Sequence, residues 1–204
     1  MSGGMREIVL ASGSRARREM LAAAGVPFTV LPADVDEPKL REVMFAQEPD
    51  IDPRKVAATL AAAKAHDVSA KSKSSLIIGA DQVLALGSVL LSKAPTLDAA
   101  RDALKRLRGK THELHSAVAF VEGGELTWAH VATAKLKMRD FSDAFLEDYL
   151  TRASDRVGLT VGAYELEGLG VQLFESIEGD YFTVLGLPLL PVLEELRARG
   201  SLTR

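Results

Sequence analysis

The residue types that could do chemistry fall in short clusters. The first is Ser12-Gly13-Ser14, followed by Arg15, Arg17 and Arg18. A turn that feeds a helix N-terminus offers free backbone N–H groups and the positive end of the helix dipole. Hydroxyls and guanidinium groups added there make a cradle for phosphate. The same residues also describe an N-cap followed by a solvated basic face. The second cluster is Ile77-Ile78-Gly79-Ala80-Asp81-Gln82-Val83, where a carboxylate interrupts apolar sequence. Burying it without a partner is costly, so it is expected at a strand end facing a cleft, able to bind a metal or orient a water. A turn aspartate between two strands is the alternative. Lys64 in AAAKAH and Lys93 in LLSKAP stand among small or apolar residues. Each either snorkels to the surface or meets phosphate oxygens.

Two further groups are weaker. His66, His112, His115 and His130 form no HExxH pair and read as structural. The odd spacing of His112 and His115 on a predicted strand sends them to opposite faces. The segments Tyr164–Gly170 and Ile177–Pro188 combine glycines with Glu165, Glu167 and Glu178, and Glu175 lies between them. Glycine there allows the backbone to approach a ligand or another strand.

The elements that must position these groups follow from pattern. Ile8–Leu10 reads as a strand, then a tight turn, then a helix with Ser14 as N-cap and Gly25 as stop. Phe28–Leu31 reads as a second strand. Asp34–Asp50 is polar, with Pro38 and Pro49, and is expected to be irregular at both ends. Asp52-Pro53 opens a helix through Val68. Leu76–Ile78 and Val83–Leu91 read as strands, the latter with a Gly87-Ser88 turn, and Thr96–Leu107 as a helix stopped by Gly109. His112–Val121 and Leu126–Met138 alternate around Gly123-Gly124, a hairpin signal. Ser142–Leu150 reads as a helix, Gly162–Phe174 as strand pieces, and Pro188 opens the last helix through Arg197. The mixture indicates an α/β domain with a mixed sheet, taken as one domain over residues 1–204.

Composition removes several classes. With no cysteine among 204 residues, disulfides, zinc–thiolate sites and cysteine nucleophiles are impossible. The net charge of −3 argues against a general nucleic-acid binder, so any cations for a phosphate ligand must be local. No apolar run reaches the roughly 20 residues that span a bilayer. The apolar run in MSGGMREIVLASGS is too short for a secretory core, so a soluble, cytoplasmic protein is expected.

Taken together, the segments resemble one family. LASGSRARREML is similar to its N-terminal serine–arginine signature, and Asp34-Val35-Asp36-Glu37 to its acidic turn. GADQV resembles its central aspartate motif, Lys93 falls at its Gly-Lys-Pro lysine, LRGKTHELHSAVAF resembles its glycine–histidine strand, and IEGDYFTVLGLPL its C-terminal motif. These are the motifs of the Maf (septum-formation inhibitor, Maf-like) family of nucleoside triphosphate pyrophosphatases, and the resemblance covers about Ile8 to Leu196. It implies an α/β fold with a mixed, twisted sheet and flanking helices, similar to inosine triphosphatase, with two lobes around a cleft. It implies hydrolysis of a nucleoside triphosphate to monophosphate and pyrophosphate with a divalent cation, Mg²⁺ or Mn²⁺. By motif position Asp81 is the catalytic aspartate, with Ser12, Ser14, Arg17, Lys64 and Lys93 toward phosphate and with Glu37 and Asp81 toward the metal. The nucleotide is then the partner, without nucleic acid or membrane, and a homodimer is compatible with the resemblance.

The departures from the commonest pattern bear on the base. Pro-Arg-Arg is replaced by Arg15-Ala16-Arg17, Asp-Thr by Asp81-Gln82, Gln-Gly by Glu167-Gly168 and Gly-Lys-Pro by Ser92-Lys93-Ala94. Gln82 and Glu167 resemble the branch that acts on 7-methyl-GTP, whereas the tryptophan usual in that branch is Ala16 here. A carboxylate at Glu167 suits the adjacent N–H donors of guanine, and Gln82 is expected to donate to guanine O6. The alternatives are a dTTP/UTP pyrophosphatase and a nucleotide-binding regulator of cell division without turnover.

Overall fold

The computed structural model describes residues 6–203, so the first five residues of the N-terminal stretch weighed above as a leader lie outside the described residues. Among these residues, seven strands form one mixed sheet in the order β2 (Thr29–Val30), β1 (Ile8–Ala11), β3 (Leu76–Leu86), β5 (Thr111–Glu122), β6 (Glu125–Met138) and β7 (Phe174–Glu178), with β4 (Val89–Leu91) paired to β3 off that path. No described helix is long and apolar enough to cross a membrane.

The fully buried strand β1 (Ile8–Ala11) leads through Ser12–Ser14 into α1 (Arg15–Ala23), where Ser14 Oγ accepts from the Arg17 backbone N–H. Strand β2 (Thr29–Val30) lies parallel to β1. The irregular segment expected over residues 34–50 is instead a helix, α2 (Glu37–Gln47). Asp36 caps it, its Oδ1 accepting from the Lys39 N–H at 2.9 Å. Pro38 sits in the first turn, where an N–H has no intrahelical partner to lose. Met44 is the buried residue of this helix, so its amphipathic signal is faint.

Helix α3 (Pro53–Lys71) is capped by Asp52, whose Oδ1 accepts from the Arg54 N–H. Its stripe of Val56, Ala57, Leu60, Ala61, Ala65 and Val68 is buried against one face of the sheet. Strand β3 is longer than its sequence suggests, running unbroken over Leu76–Leu86. Asp81 therefore stands in mid-strand and not at a strand end. The reason is β5 (Thr111–Glu122), which pairs with β3 from Leu76↔Glu122 to Ala85↔Glu113 and holds the carboxylate opposite Ala117. On its other edge β3 has two neighbours in turn. Strand β1 runs parallel along Leu76–Gly79, and β4 (Val89–Leu91) antiparallel along Leu84–Leu86. Among the described residues, the edge between them, around Ala80–Val83, has no strand beside it. Such a change of neighbour opens a crevice in the way a topological switch point does.

Helix α4 (Leu97–Leu107) precedes β5, and β6 (Glu125–Met138) follows it across Gly123-Gly124. Both glycines have positive φ, +58° and +88°, as a two-residue hairpin turn of the primed kind requires. Helix α5 (Asp143–Ala153) comes next. The strand pieces expected over Gly162–Phe174 are turns and a 3₁₀ turn at Leu169–Leu173. A Cβ on Gly170 would lie 2.5 Å from the Glu165 carbonyl oxygen, so the chain here folds back on itself and cannot run extended. Extended structure resumes in β7 (Phe174–Glu178), antiparallel to β6. A single turn, α6 (Tyr181–Val184), and α7 (Leu189–Ala198) complete the fold.

The face opposite α3 carries two apolar clusters. One joins Leu10, Ile78 and Phe120 to Leu21 of α1 and Val192 of α7. The other joins Leu84, Leu114 and Leu136 to α4, α5 and Tyr164. Each fully buried leucine or isoleucine contributes about 1.5–3 kcal/mol relative to exposure. Between the two clusters lies a polar row, Gln82 beside Ser116, roofed by α6. This row is the waist between two lobes, and the missing edge of β3 opens beside it. His112 and His115 take opposite faces, as their spacing requires. His112 Nε2 lies 2.7 Å from Tyr164 Oη, and His115 Nδ1 lies 2.9 Å from Thr133 Oγ1.

Candidate active site

Strand alternation sends Asp81 to the α3 face and Gln82 to the α6 face. What brings α3 to Asp81 is Gly79, two residues earlier on the same face. A Cβ there would stand 2.2 Å from the Ala61 carbonyl oxygen and 2.8 Å from Ala65 Cβ, so the helix backbone rests directly on the strand. Lys64 lies on the buried stripe of α3, four residues after Leu60 and three after Ala61. Its side chain is 13% exposed, and its Nζ reaches Asp81 Oδ1 at 2.6 Å and Glu37 Oε1 at 2.7 Å. Asp81 Oδ2 is buried with no partner among the described residues. Burial pushes the Asp81 carboxyl above the usual aspartate range, and the Lys64 and Arg17 charges pull it part of the way back. Burial also pushes Glu37 up, but the Lys64 hydrogen bond and the charges of Lys64, Arg41 and Lys93 carry it below its ordinary value.

Arg17 fills the gap in the sheet. Its Nε donates to Gly186 O at 2.7 Å, and its Nη1 donates to Ser12 Oγ at 3.1 Å and to Ala80 O at 3.0 Å. It thereby satisfies a carbonyl on the strand edge that no described strand covers. Burial lowers its pKa from that of a free guanidinium, against the raising effect of Asp81 and Glu37.

These residues surround a cleft of about 580 Å³. Ser14, Ala16 and Arg17 line it from the start of α1, Glu37 and Arg41 from α2, Lys64 from α3, and Asp81 and Gln82 from β3. Lys93, Leu159 and Val161 form the far wall, where Lys93 and Val161 share an isolated antiparallel bridge. Eight of the residues singled out in the sequence thus share one space. Ser12 sits just beneath it, buried, with its Oγ taken by Arg17 Nη1 and the Ser14 N–H. Glu167 does not line the cleft. It is exposed on the far-lobe turn, near enough to Arg15 for the charges to interact. Gln82 is placed differently from the donor expected of it. Its Nε2 lies 3.0–3.1 Å from Ser116 Oγ, Thr183 O and Val184 O, so its two N–H groups are shared among the three acceptors that the waist and α6 put beneath it. Its amide oxygen remains as the group outside those bonds.

Arg41, Leu159 and Thr160 were not anticipated. Arg41 carries a faint signal, four residues after Glu37 and so on the same helix face, had α2 been recognised as a helix.

The donor set suits a hard divalent cation held sparingly. Two carboxylates with oxygen ligands are present, Asp81 has a buried oxygen without a partner, and the described residues contain no group of three or more acidic or histidine side chains that could cage an ion. Mg²⁺-type sites are built in this way, from one or two carboxylates completed by phosphate oxygens and water.

Known proteins are similar to this chain over nearly its whole length. A protein of Paramagnetospirillum magneticum named nucleoside triphosphate pyrophosphatase is 50% identical over 95% of this chain and 99% of its own length. Two proteins named 7-methyl-GTP pyrophosphatase are similar: that of Brucella abortus is 45% identical over 94% of this chain and 95% of its own, and that of Mesorhizobium japonicum 44% identical over 96% and 98%. The family model described as Maf-like protein matches residues 7–199, a span that includes every residue of the cleft, and the chain belongs to that family.

Proposed function

We propose that this protein hydrolyses a nucleoside triphosphate to the monophosphate and pyrophosphate, with a guanine-type base, 7-methyl-GTP among them, preferred. The observation that carries the reading is the Asp81 carboxylate, buried on the floor of the cleft with Oδ2 unpartnered among the described residues and with Lys64 and Arg17 beside it. A water held at Oδ2 attacks the α-phosphorus. The new bond runs from the water oxygen to phosphorus, the bond to the bridging oxygen breaks, its electron pair leaves with pyrophosphate, and the water's proton passes to Asp81. An ordinary carboxylate is a weak base for this task, with a pKa of about 4 against about 15.7 for water. Burial narrows that gap by raising Asp81. Lys64 fixes the orientation of both carboxylates, while Lys93, Ser14 and the α1 N-terminus face the phosphates. Asp81 and Glu37 would hold a divalent cation, which supplies charge neutralisation and a more acidic bound water when present.

The base preference draws support from the two relatives named 7-methyl-GTP pyrophosphatase and from Gln82 at the cleft wall. Glu167 reaches the base in this reading if the far-lobe turn moves toward Arg15 on binding. The test is release of pyrophosphate from 7-methyl-GTP, GTP, UTP and dTTP with Mg²⁺, comparing kcat/KM in wild type and Glu167→Gln. The expected ranking places the guanine nucleotides first, with the variant shifting toward pyrimidines by about 1–3 kcal/mol. A wild type that favours UTP or dTTP, or a variant with an unchanged ranking, rejects the base assignment. A protein that binds these nucleotides and releases no pyrophosphate is a regulator without turnover.

A further inference from the structure

Arg41 lines the cleft from α2, one helical turn after Glu37. Its ion pair with Glu37 is long, 3.8 Å from Nη2 to Oε2, and its Nε is buried without an acceptor among the described residues. Of the other cations that line the cleft, Lys93 stands on the far wall, and Lys64 and Arg17 are committed. Lys64 is held by two carboxylates, and Arg17 spends Nε and Nη1 on Gly186 O, Ser12 Oγ and Ala80 O. Buried donors in folded proteins have partners, so an unsatisfied one at a binding surface marks where a ligand supplies the acceptor. A guanidinium presents its N–H groups as a planar fork that matches two phosphate oxygens at once.

The position along α2 selects which phosphate. Four residues of helix advance about 6 Å from Glu37, which shares Lys64 with the reacting carboxylate. A guanidinium set that far from the phosphorus attacked at Asp81, in the same cleft, is matched to the other phosphoryl groups of a triphosphate. We propose that Arg41 binds the pyrophosphate portion of the substrate and holds it as the leaving group, an inference that rests on the hydrolysis reading above. The guanidinium then stabilises negative charge as it grows on the departing oxygens, and it favours triphosphates over shorter nucleotides.

The test titrates wild type, Arg41→Met, Arg41→Gln and Arg41→Lys with inorganic pyrophosphate and, separately, with GMP, by calorimetry in Mg²⁺. Methionine and glutamine remove the fork, and lysine keeps the charge without it. The expected result is pyrophosphate affinity about 10- to 100-fold weaker in the first two variants, with lysine in between, and GMP affinity changed by less than about threefold. Melting temperature is the control for folding. It is expected to hold, because no hydrogen bond of Nε to the described residues is removed. Pyrophosphate affinity within about threefold of wild type in Arg41→Met overturns the proposal, as does an equal loss for GMP. Arg41-dependent binding of pyrophosphate by a protein that releases none from any triphosphate upholds the phosphoryl site and overturns the hydrolysis reading instead.

Discussion

Asp81 holds its two oxygens differently: Oδ1 accepts from Lys64, and Oδ2 is buried without a partner among the described residues. Asparagine keeps the shape and one acceptor for Lys64 but cannot take a proton. Asp81→Asn is therefore expected to lower pyrophosphate release by about 100-fold or more. Its stability should move the other way. The folded-state pKa of Asp81 is raised, so its contribution is favourable below the ordinary aspartate range and is lost as pH rises through the raised value. At pH 7 the wild type bears the cost of a buried charge and the variant does not, so the variant should melt no lower. The two should converge as pH falls below about 4. Paired melting curves and rates across this range check both halves. A variant that keeps wild-type turnover, or that melts well below wild type at pH 7, contradicts the assignment. Lys64 was legible in the sequence as a site residue only through its motif position, because a lysine among alanines reads equally well as a side chain that snorkels to the surface. The partner it meets was not, because the pairing of Asp81 with Lys64 depends on how closely α3 lies on β3.

That approach belongs to the elements. Helix and strand touch at Gly79, where the neighbouring atom is the Ala61 backbone oxygen and not a flexible side chain. Gly79→Ala must push α3 off the strand, which costs about 1–3 kcal/mol by overpacking and draws Lys64 away from Asp81. Both melting temperature and kcat/KM should fall together. An unchanged melting temperature would show that the helix can yield there without penalty. The hairpin of β5 and β6 was readable from alternation and its two glycines, and α3 from its Asp52-Pro53 start. The helix α2 was hidden, since Pro38 and a polar surface argue for irregular chain unless Asp36 is recognised as its cap. The continuity of β3 was hidden as well. A carboxylate in an apolar run looks like a break, and only the ten-residue pairing with β5 shows that the strand passes through it. The far-lobe turn that carries Glu167 is shaped by close backbone contact at Gly170, which no periodicity announces.

For the whole molecule, acid should reveal the buried histidine of the far lobe. His112 is packed against Tyr164 and Phe174, and burial lowers its pKa from 6.5 to about 4. A base depressed in this way contributes stability above its unfolded pKa, and the contribution is lost as pH falls through the window from 6.5 to 4. The loss should reach about 3 kcal/mol by pH 4, with His115, also lowered by burial, acting in the same direction. Urea unfolding at pH 7, 5.5 and 4.5 measures it, and a flat profile between the first two values and the last would contradict it. The interrupted edge of β3 has a mechanical corollary. Strands β3, β5 and β6 run beneath the gap, so the cleft walls are joined by three backbone ribbons side by side and not by a swinging linker. Its width is then governed by the twist of those ribbons, a stiff coordinate shared by both lobes. Heat should disassemble the protein in one cooperative step, and a molecule wedged between the walls should raise the melting point of the lobe it barely touches as much as that of the lobe that grips it.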